Sequence, residues 1–111
     1  MTKQLFDNRP EAIQDLGTGY YNIHFNIKEV QENEIDDNDN VIEVTKYQAD
    51  VMRVDDISYG GIVSAMIRNK YSLDQEFALQ RQREIKSKEF FNYSSYCEQC
   101  KAIAREMLNT Q

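Results

Sequence analysis

Apolar and polar residues alternate in the first half of the chain, whereas apolar residues recur every three or four positions in the second half. Alternation is typical of a strand with one buried face, and the longer period is typical of a helix. Residues 20–30 alternate throughout, with His24 on the polar face. The face predicted to be buried comprises Tyr21, Ile23, Phe25 and Ile27.

The segment 41–54 predicts the return strand of a hairpin. Its apolar residues change parity partway along, and a bulge near Thr45 or Lys46 would keep them on one face. Residues 31–40, between the two strands, are acidic and rich in turn-forming Asp and Asn. The pattern therefore predicts a long hairpin over residues 20–54 with an acidic tip.

Three helices are predicted over residues 58–108. Ser58 is placed to cap the first helix. Ser72 and Gln75 are spaced as a capping box for the second, and the third is predicted over residues 87–108. A long antiparallel hairpin followed by a three-helix C-terminal half indicates an α+β fold. The predicted stripe of the first helix comprises Tyr59, Ile62, Val63, Met66 and Ile67, and that of the third comprises Phe90, Tyr93, Cys97, Cys100, Ala104 and Met107.

Residues 1–19 precede the hairpin and contain Pro10, the one proline of the chain. Proline suits the first turn of a helix. Gly17 and Gly19 permit a tight reversal. We therefore expect an N-terminal arm or short helix over residues 1–19, followed by a single small domain over residues 20–111.

The composition fits one folded domain, since 41% of the 111 residues are hydrophobic and 29% are charged. No apolar run approaches the roughly 20 residues that cross a bilayer, so no membrane contact is expected. The first residues lack the apolar core of a signal peptide, so we expect a protein made in the cytoplasm.

Charge is divided unevenly. Residues 1–56 carry a net charge of −8 and residues 57–111 carry +2. Nucleic-acid binding requires a basic surface, so direct binding is not expected from a chain of net charge −6. A basic patch lies around the junction of the second and third predicted helices. It is either a solvated helix end or a docking contact for an acidic surface, such as a second copy. The patch comprises Arg81, Arg83, Lys86 and Lys88.

Seven tyrosines and five phenylalanines supply many aromatic side chains. Tyrosine is common at protein interfaces because its ring is buried while its hydroxyl finds a polar partner. Most of these rings are expected in the core. Strand parity places Tyr20 and Tyr47 outside the buried face of the hairpin, so these two are predicted interaction residues.

Cys97 and Cys100 form a Cys-x-x-Cys motif inside the third predicted helix. A structural zinc site needs four ligands, and His24 is the one further nitrogen or sulfur ligand in the chain. A redox dithiol needs its first cysteine at a helix N-terminus. We therefore predict two core residues, with a metal shared between subunits or a redox pair as the alternatives.

Two other candidate motifs lack residues that a calcium loop or a catalytic site requires. Residues 36–40 resemble the start of a calcium loop, but Val41 and Tyr47 stand where that loop needs glycine and glutamate. His24 has no recognisable nucleophile motif near it. The sequence predicts no catalytic residue and no cofactor.

Several short segments occur together in a recognisable order. They are residues 20–23, the acidic hairpin tip, residues 47–51, 62–72 and 78–82, then Phe91, Tyr93, Tyr96 and residues 100–104. Together they resemble small uncharacterised phage and prophage proteins, many of which are virion or tail-associated accessory parts. The resemblance implies a structural or assembly role and incorporation in a phage particle, and it assigns no site residues.

Three function classes follow. We expect a non-catalytic structural, assembly or adaptor protein that contacts other protein subunits, including copies of itself. The alternative is an acidic regulatory protein that occupies a basic site on another protein. A metal or redox module based on Cys97 and Cys100 is the third class.

Overall fold

The computed structural model describes residues 2–109, which form four strands followed by three helices. The strands make one antiparallel sheet, so the predicted α+β fold is confirmed. The strands are β1 (Thr2–Phe6), β2 (Ile13–Asp15), β3 (Tyr21–Ile35) and β4 (Val41–Val54). The helices are α1 (Tyr59–Lys70), α2 (Leu73–Arg81) and α3 (Ser87–Asn109).

The chain divides into two compact units, Met1–Arg53 and Val54–Gln111. The first unit contains the sheet, whose strand order is β1-β4-β3-β2. The predicted hairpin of β3 and β4 therefore lies at the centre. β1 pairs with β4 from Thr2 opposite Val51 to Phe6 opposite Tyr47, and β2 pairs with the start of β3.

The prediction of an arm or short helix over residues 1–19 is wrong, because β1 and β2 are edge strands of the sheet. β2 is too short to show a period, although it pairs locally with the start of β3 across the turn at residues 16–20. β1 is also short, and its partner β4 lies far along the chain, so only long-range pairing defines it. The predicted reversal before β3 is present, with Gly17 and Gly19 at φ values of 75° and 87°.

The buried part of β3 comprises three consecutive residues, Ile23, His24 and Phe25. The prediction that His24 lies on a polar, open face is therefore wrong. Its Nδ1 donates a hydrogen bond to the carbonyl oxygen of Glu11 over 2.6 Å, and its ring meets Phe6 edge-on at 5.3 Å. The segment that joins β1 to β2 thus covers the face that alternation alone assigns to water.

Asn26 ends this buried stretch in the left-handed region, with a φ of 52°. A left-handed residue inside a strand is typical of a bulge, which turns the following side chains. The bulge that the sequence indicated near Thr45 or Lys46 of β4 stays a prediction, because a classic bulge contains no left-handed residue. The left-handed residue within the two hairpin strands lies in β3.

Both helix N-caps predicted in the second unit are confirmed. The hydroxyl of Ser58 accepts a hydrogen bond from the Gly61 amide over 3.1 Å at the start of α1. Ser72 and Gln75 form the complete capping box of α2, each side chain accepting from the other residue's amide. These bonds satisfy amides that have no partner within the helix.

The apolar stripes of α1 and α3 pack as their period predicts, and Ile62 and Cys100 are fully buried. Tyr59, at the start of the predicted α1 stripe, is exposed. α2 differs from both other helices, because it buries none of its residues. The buried residues of α1 and α3 are Ile62, Val63, Met66, Ile67, Tyr93, Cys100, Ala104 and Met107.

Candidate interaction surfaces

The outer part of the β3–β4 hairpin extends past the strands that flank it. β1 pairs with β4 only as far as Tyr47, and β2 pairs with β3 only as far as Ile23. Within the described chain, residues 28–46 are therefore a two-stranded ribbon, here called the acidic ribbon. Its outer edges present unpaired backbone donors and acceptors.

No residue of the acidic ribbon is buried. Apolar side chains nevertheless lie at its tip, where Ile35 is 70% exposed and Val41 is 69% exposed. Ile42 beside them is also exposed. Exposed β-branched side chains at the end of a projecting ribbon make the tip a candidate contact surface.

The turn at the tip is built on Asp36. Its Oδ1 accepts hydrogen bonds from the amides of Asn38 and Asn40, each over 2.9 Å. Asp39 follows the turn with a φ of 62°, the left-handed position of a three-residue hairpin loop. The carboxylate that begins the calcium-like motif thus caps its own backbone.

Lys46 forms two ion pairs at the base of the acidic ribbon. Its ammonium group pairs with the carboxylates of Asp7 and Glu34, and the Glu34 oxygen lies at 3.0 Å. Hydrogen bonds to both carboxylates raise the pKa of Lys46, and the bond from Lys46 lowers the pKa of Asp7. The hydroxyl of Thr45 also lies 3.3 Å from the Gln31 side-chain oxygen on the opposite strand.

The acidic ribbon carries seven acidic and two basic side chains, a net charge of −5. Within the described residues, one of the seven carboxylates forms an ion pair, that of Glu34 with Lys46. The ribbon therefore projects a negative surface around its apolar tip. The acidic residues are Glu29, Glu32, Glu34, Asp36, Asp37, Asp39 and Glu43.

The predicted basic patch lies at the turn between α2 and α3. We call residues 81–88 the basic junction; they carry four basic side chains and one acidic side chain. All four cations are exposed and form no ion pair with the described residues. The cations are Arg81, Arg83, Lys86 and Lys88.

The basic junction also has an apolar centre. Ile85 is 85% exposed in the turn between the helices. Phe77, one turn before Arg81 on α2, is 56% exposed and lines a shallow groove with Asp74, Gln80 and Arg81. Lys86 borders a second groove, between α2 and α3. Two of the four predicted cations, Arg81 and Lys86, therefore border different grooves.

The two predicted interaction tyrosines differ in exposure. Tyr20 is 46% exposed, and the Arg53 guanidinium lies 5.9 Å from the centre of its ring. Tyr47 is half-buried opposite Phe6 in the sheet. Tyr20 is therefore the more accessible of the two, and contact with a partner stays a prediction for both.

A buried carboxylate that the sequence analysis missed joins three strands of the first unit. Asp50 on β4 accepts from Lys3 Nζ on β1 and from Asn26 Nδ2 on β3, both over 2.9 Å. Burial alone would raise the pKa of Asp50, but the hydrogen bonds from Asn26 and Lys3 and the charges of Lys3 and Lys28 lower it overall. The network fixes the edge strand to the centre of the sheet.

A second missed carboxylate joins the three helices. Glu76 on α2 accepts hydrogen bonds from Arg68 on α1 and from the Tyr93 hydroxyl on α3. The bond from Tyr93 lowers the pKa of Glu76, while burial and that same bond raise the pKa of Tyr93. Because α2 buries no side chain, these bonds anchor it.

Aromatic rings surround the cysteine-bearing face of α3. Tyr71 meets Tyr93 edge-on at 5.1 Å, and the Lys70 ammonium lies 4.6 Å from the centre of the Tyr96 ring. The Tyr96 hydroxyl donates to the carbonyl of Met66 over 2.9 Å. Burial raises the pKa of Tyr96 to about 12. The cysteine-bearing face of α3 is therefore packed against aromatic side chains.

Cys97 and Cys100 are free thiols on this face, and they differ in burial. Cys100 is fully buried, and burial raises the pKa of its thiol, whereas Cys97 is half-buried. No group of three or more metal-ligating residues occurs within residues 2–109. Also within this range, no helix is long and apolar enough to span a membrane.

Comparison with protein-family models, curated proteins and solved structures gives no match to this chain.

Proposed function

We propose that this chain is a non-catalytic structural, assembly or adaptor protein that binds other protein chains through its acidic ribbon. The observation that carries the proposal is a long two-stranded ribbon with no buried residue and with exposed β-branched side chains at its tip. A two-stranded ribbon is marginally stable in water by itself. A partner surface that covers the tip would stabilise it.

The exposed side chains of the ribbon indicate what kind of partner surface would bind it. Ile35 and Val41 fit an apolar depression, and the surrounding carboxylates favour a basic rim. The open edges of the two strands also allow a strand of the partner to add to the sheet. We therefore propose protein subunits as the partners, with no direct role in binding nucleic acid or membrane.

The resemblance to phage accessory proteins supports a narrower proposal. A small protein with a projecting contact element suits a virion or tail-associated component. In this proposal the protein is made in the cytoplasm and then incorporated in a particle.

Light scattering on a sizing column, followed by capture of partners on immobilised protein, tests the proposal. Ile35→Thr combined with Val41→Thr keeps strand propensity and removes apolar surface from the tip. We expect this variant to lose at least tenfold in affinity for itself or for the captured partner. Leu73→Gln, at an exposed apolar residue of α2, is the matched control. Unchanged binding by the tip variant would overturn the proposal.

The charge of the acidic ribbon supports a second candidate, an acidic regulatory protein that occupies a basic site on another protein. Its carboxylates would then take the place of phosphates. Charge alone would determine the binding in that case. The tip variant would bind normally, while Asp37→Asn combined with Glu43→Gln would bind at least tenfold more weakly.

A further inference from the structure

Two surfaces of this chain complement each other in charge and in apolar character. The acidic ribbon has a net charge of −5 around an apolar tip. The basic junction, residues 81–88, has a net charge of +3 around Ile85, the most exposed large apolar side chain of the described residues. Each surface thus has the apolar centre and polar rim of a protein interface, with opposite rims.

The charges on both surfaces are available for a partner. The four cations of the basic junction form no ion pair with the described residues. On the ribbon, the exposed carboxylates of Asp37 and Glu43 likewise form none. Docking would therefore break no existing ion pair at these positions.

We propose that a second copy of this chain is the partner of the acidic ribbon, and that the ribbon tip of one copy docks on the basic junction of the next. The inference rests on the proposed function and names its partner. Two different surfaces meet in such a contact, so the association is head-to-tail, and it propagates to a ring or a filament.

The contact is small, because its centre consists of the ribbon tip, Ile85 and Phe77. Small interfaces are weak, and we expect a dissociation constant on the order of 10 μM at low salt. Exposed charges at the rim are screened by salt, so 0.5 M sodium chloride is expected to weaken the association at least tenfold.

Reversal of charge on each surface in turn tests the proposal. The ribbon variant carries Asp37→Lys and Glu43→Lys, and the junction variant carries Arg81→Glu and Arg83→Glu. Each variant alone is expected to associate at least tenfold more weakly than the unmodified protein in sedimentation velocity. An equal mixture of the two is expected to form a complex of two chains, because one intact ribbon can still meet one intact junction.

The chain that carries all four substitutions is a further control. Its ribbon and its junction each have a net charge of −1, so charge complementarity is absent and the association is expected to stay weak. Arg105→Glu and Glu106→Lys, at exposed residues of α3, are matched controls and are expected to associate normally. Unchanged far-UV circular dichroism shows that each variant folds.

The failures of the two proposals are distinguishable. A protein that remains monomeric at 200 μM and low salt overturns the head-to-tail contact. So does self-association that neither charge reversal weakens. In both cases, loss of a captured partner by the Ile35→Thr and Val41→Thr variant still supports the proposed function. A monomer whose ribbon binds no protein overturns both.

Discussion

Lys3 and Asp50 face each other across β1 and β4, with the ammonium nitrogen 2.9 Å from a carboxylate oxygen. The Lys3 side chain is largely exposed, whereas Asp50 is buried. The second oxygen of Asp50 accepts from Asn26 on β3. The Asp50 side chain therefore links the edge strand β1 to the two central strands, through an ion pair with Lys3 and a hydrogen bond from Asn26.

The first prediction concerns Asp50 and pH. Because its pKa in the folded protein lies below the ordinary value of 3.8, the stability it contributes is present above that value and is lost as the pH falls through the folded pKa. Asp50→Asn is expected to lower the free energy of unfolding by about 2 kcal/mol at pH 7. The deficit should shrink towards pH 3.

Urea unfolding followed by circular dichroism between pH 7 and pH 3 checks this prediction. Asp37→Asn, at an exposed residue of the ribbon tip, is the control for the loss of a carboxylate. A deficit for Asp50→Asn that stays constant with pH would show that ionisation of Asp50 does not contribute.

The second prediction compares two neighbouring glycines of α1. A Cβ at Gly60 would meet nothing within 4 Å, whereas a Cβ at Gly61 would lie 2.3 Å from the Cγ of Asp56 and 2.7 Å from its Cβ. Asp56 accepts a hydrogen bond from the Ser58 amide, which it would lose on moving. Alanine in place of glycine within a helix otherwise stabilises by about 1 kcal/mol.

We therefore expect Gly60→Ala to raise the melting temperature by several degrees and Gly61→Ala to lower it. Thermal unfolding of both variants beside the unmodified protein measures the difference. Equal stabilisation by the two substitutions would mean that Asp56 moves aside freely.

The features that could be predicted from sequence are the local ones. Ser58, Ser72 and Gln75 cap helices through bonds to amides three residues away, so their spacing identifies them. The alternation that predicts the long hairpin and the helical period that predicts the stripe of α3 are likewise visible within a short window of sequence. Such patterns arise from interactions between residues that are close together in the sequence.

The features that could not be predicted depend on distant pairing. β1 is a strand because it pairs with residues 47–51 of β4. His24 is buried because Glu11 and the segment around it cover one face of the sheet. The bonds from Arg68 and Tyr93 to Glu76 join residues on three helices. Of the candidate site, the sequence identified the basic patch, but only the ends of β1 and β2 show how far the ribbon projects.

The third prediction concerns Glu76 as the anchor of α2. Glu76→Ala is expected to lower the free energy of unfolding by about 2 kcal/mol, because charge-assisted bonds to Arg68 and Tyr93 are lost together. Tyr93→Phe is expected to lower the free energy of unfolding by about 1 kcal/mol, because it removes the hydroxyl bond and keeps the ring packing. Hydrogen exchange of the α2 amides should accelerate in both variants more than that of the α3 amides.

A double-mutant cycle between these two substitutions is the check. Because they remove the same bond, their effects are expected to be less than additive by at least 0.5 kcal/mol. Additive effects would show that Glu76 and Tyr93 stabilise the helices independently.

The fourth prediction concerns the two thiols. Cys100 is fully buried and its pKa is raised by burial, so it has little reactive thiolate at pH 8. Cys97 is half-buried. A disulfide reagent is expected to modify Cys97 at least ten times faster than Cys100 in the native protein, and both at similar rates in denaturant.

Mass spectrometry of the modified peptides identifies the site, and Cys97→Ala should abolish the fast phase. Loss of the fast phase in Cys100→Ala instead would contradict the burial order of the two cysteines.

The carboxylates of the acidic ribbon also act against pairing between two ribbons. A two-stranded element with free edges and β-branched residues at its end is a template for edge-to-edge pairing with its own kind. Two such ribbons would bring net charges of −5 into contact, and like charges oppose that pairing. The acidity that we propose attracts a basic partner therefore also opposes pairing of two ribbons through their exposed apolar tips.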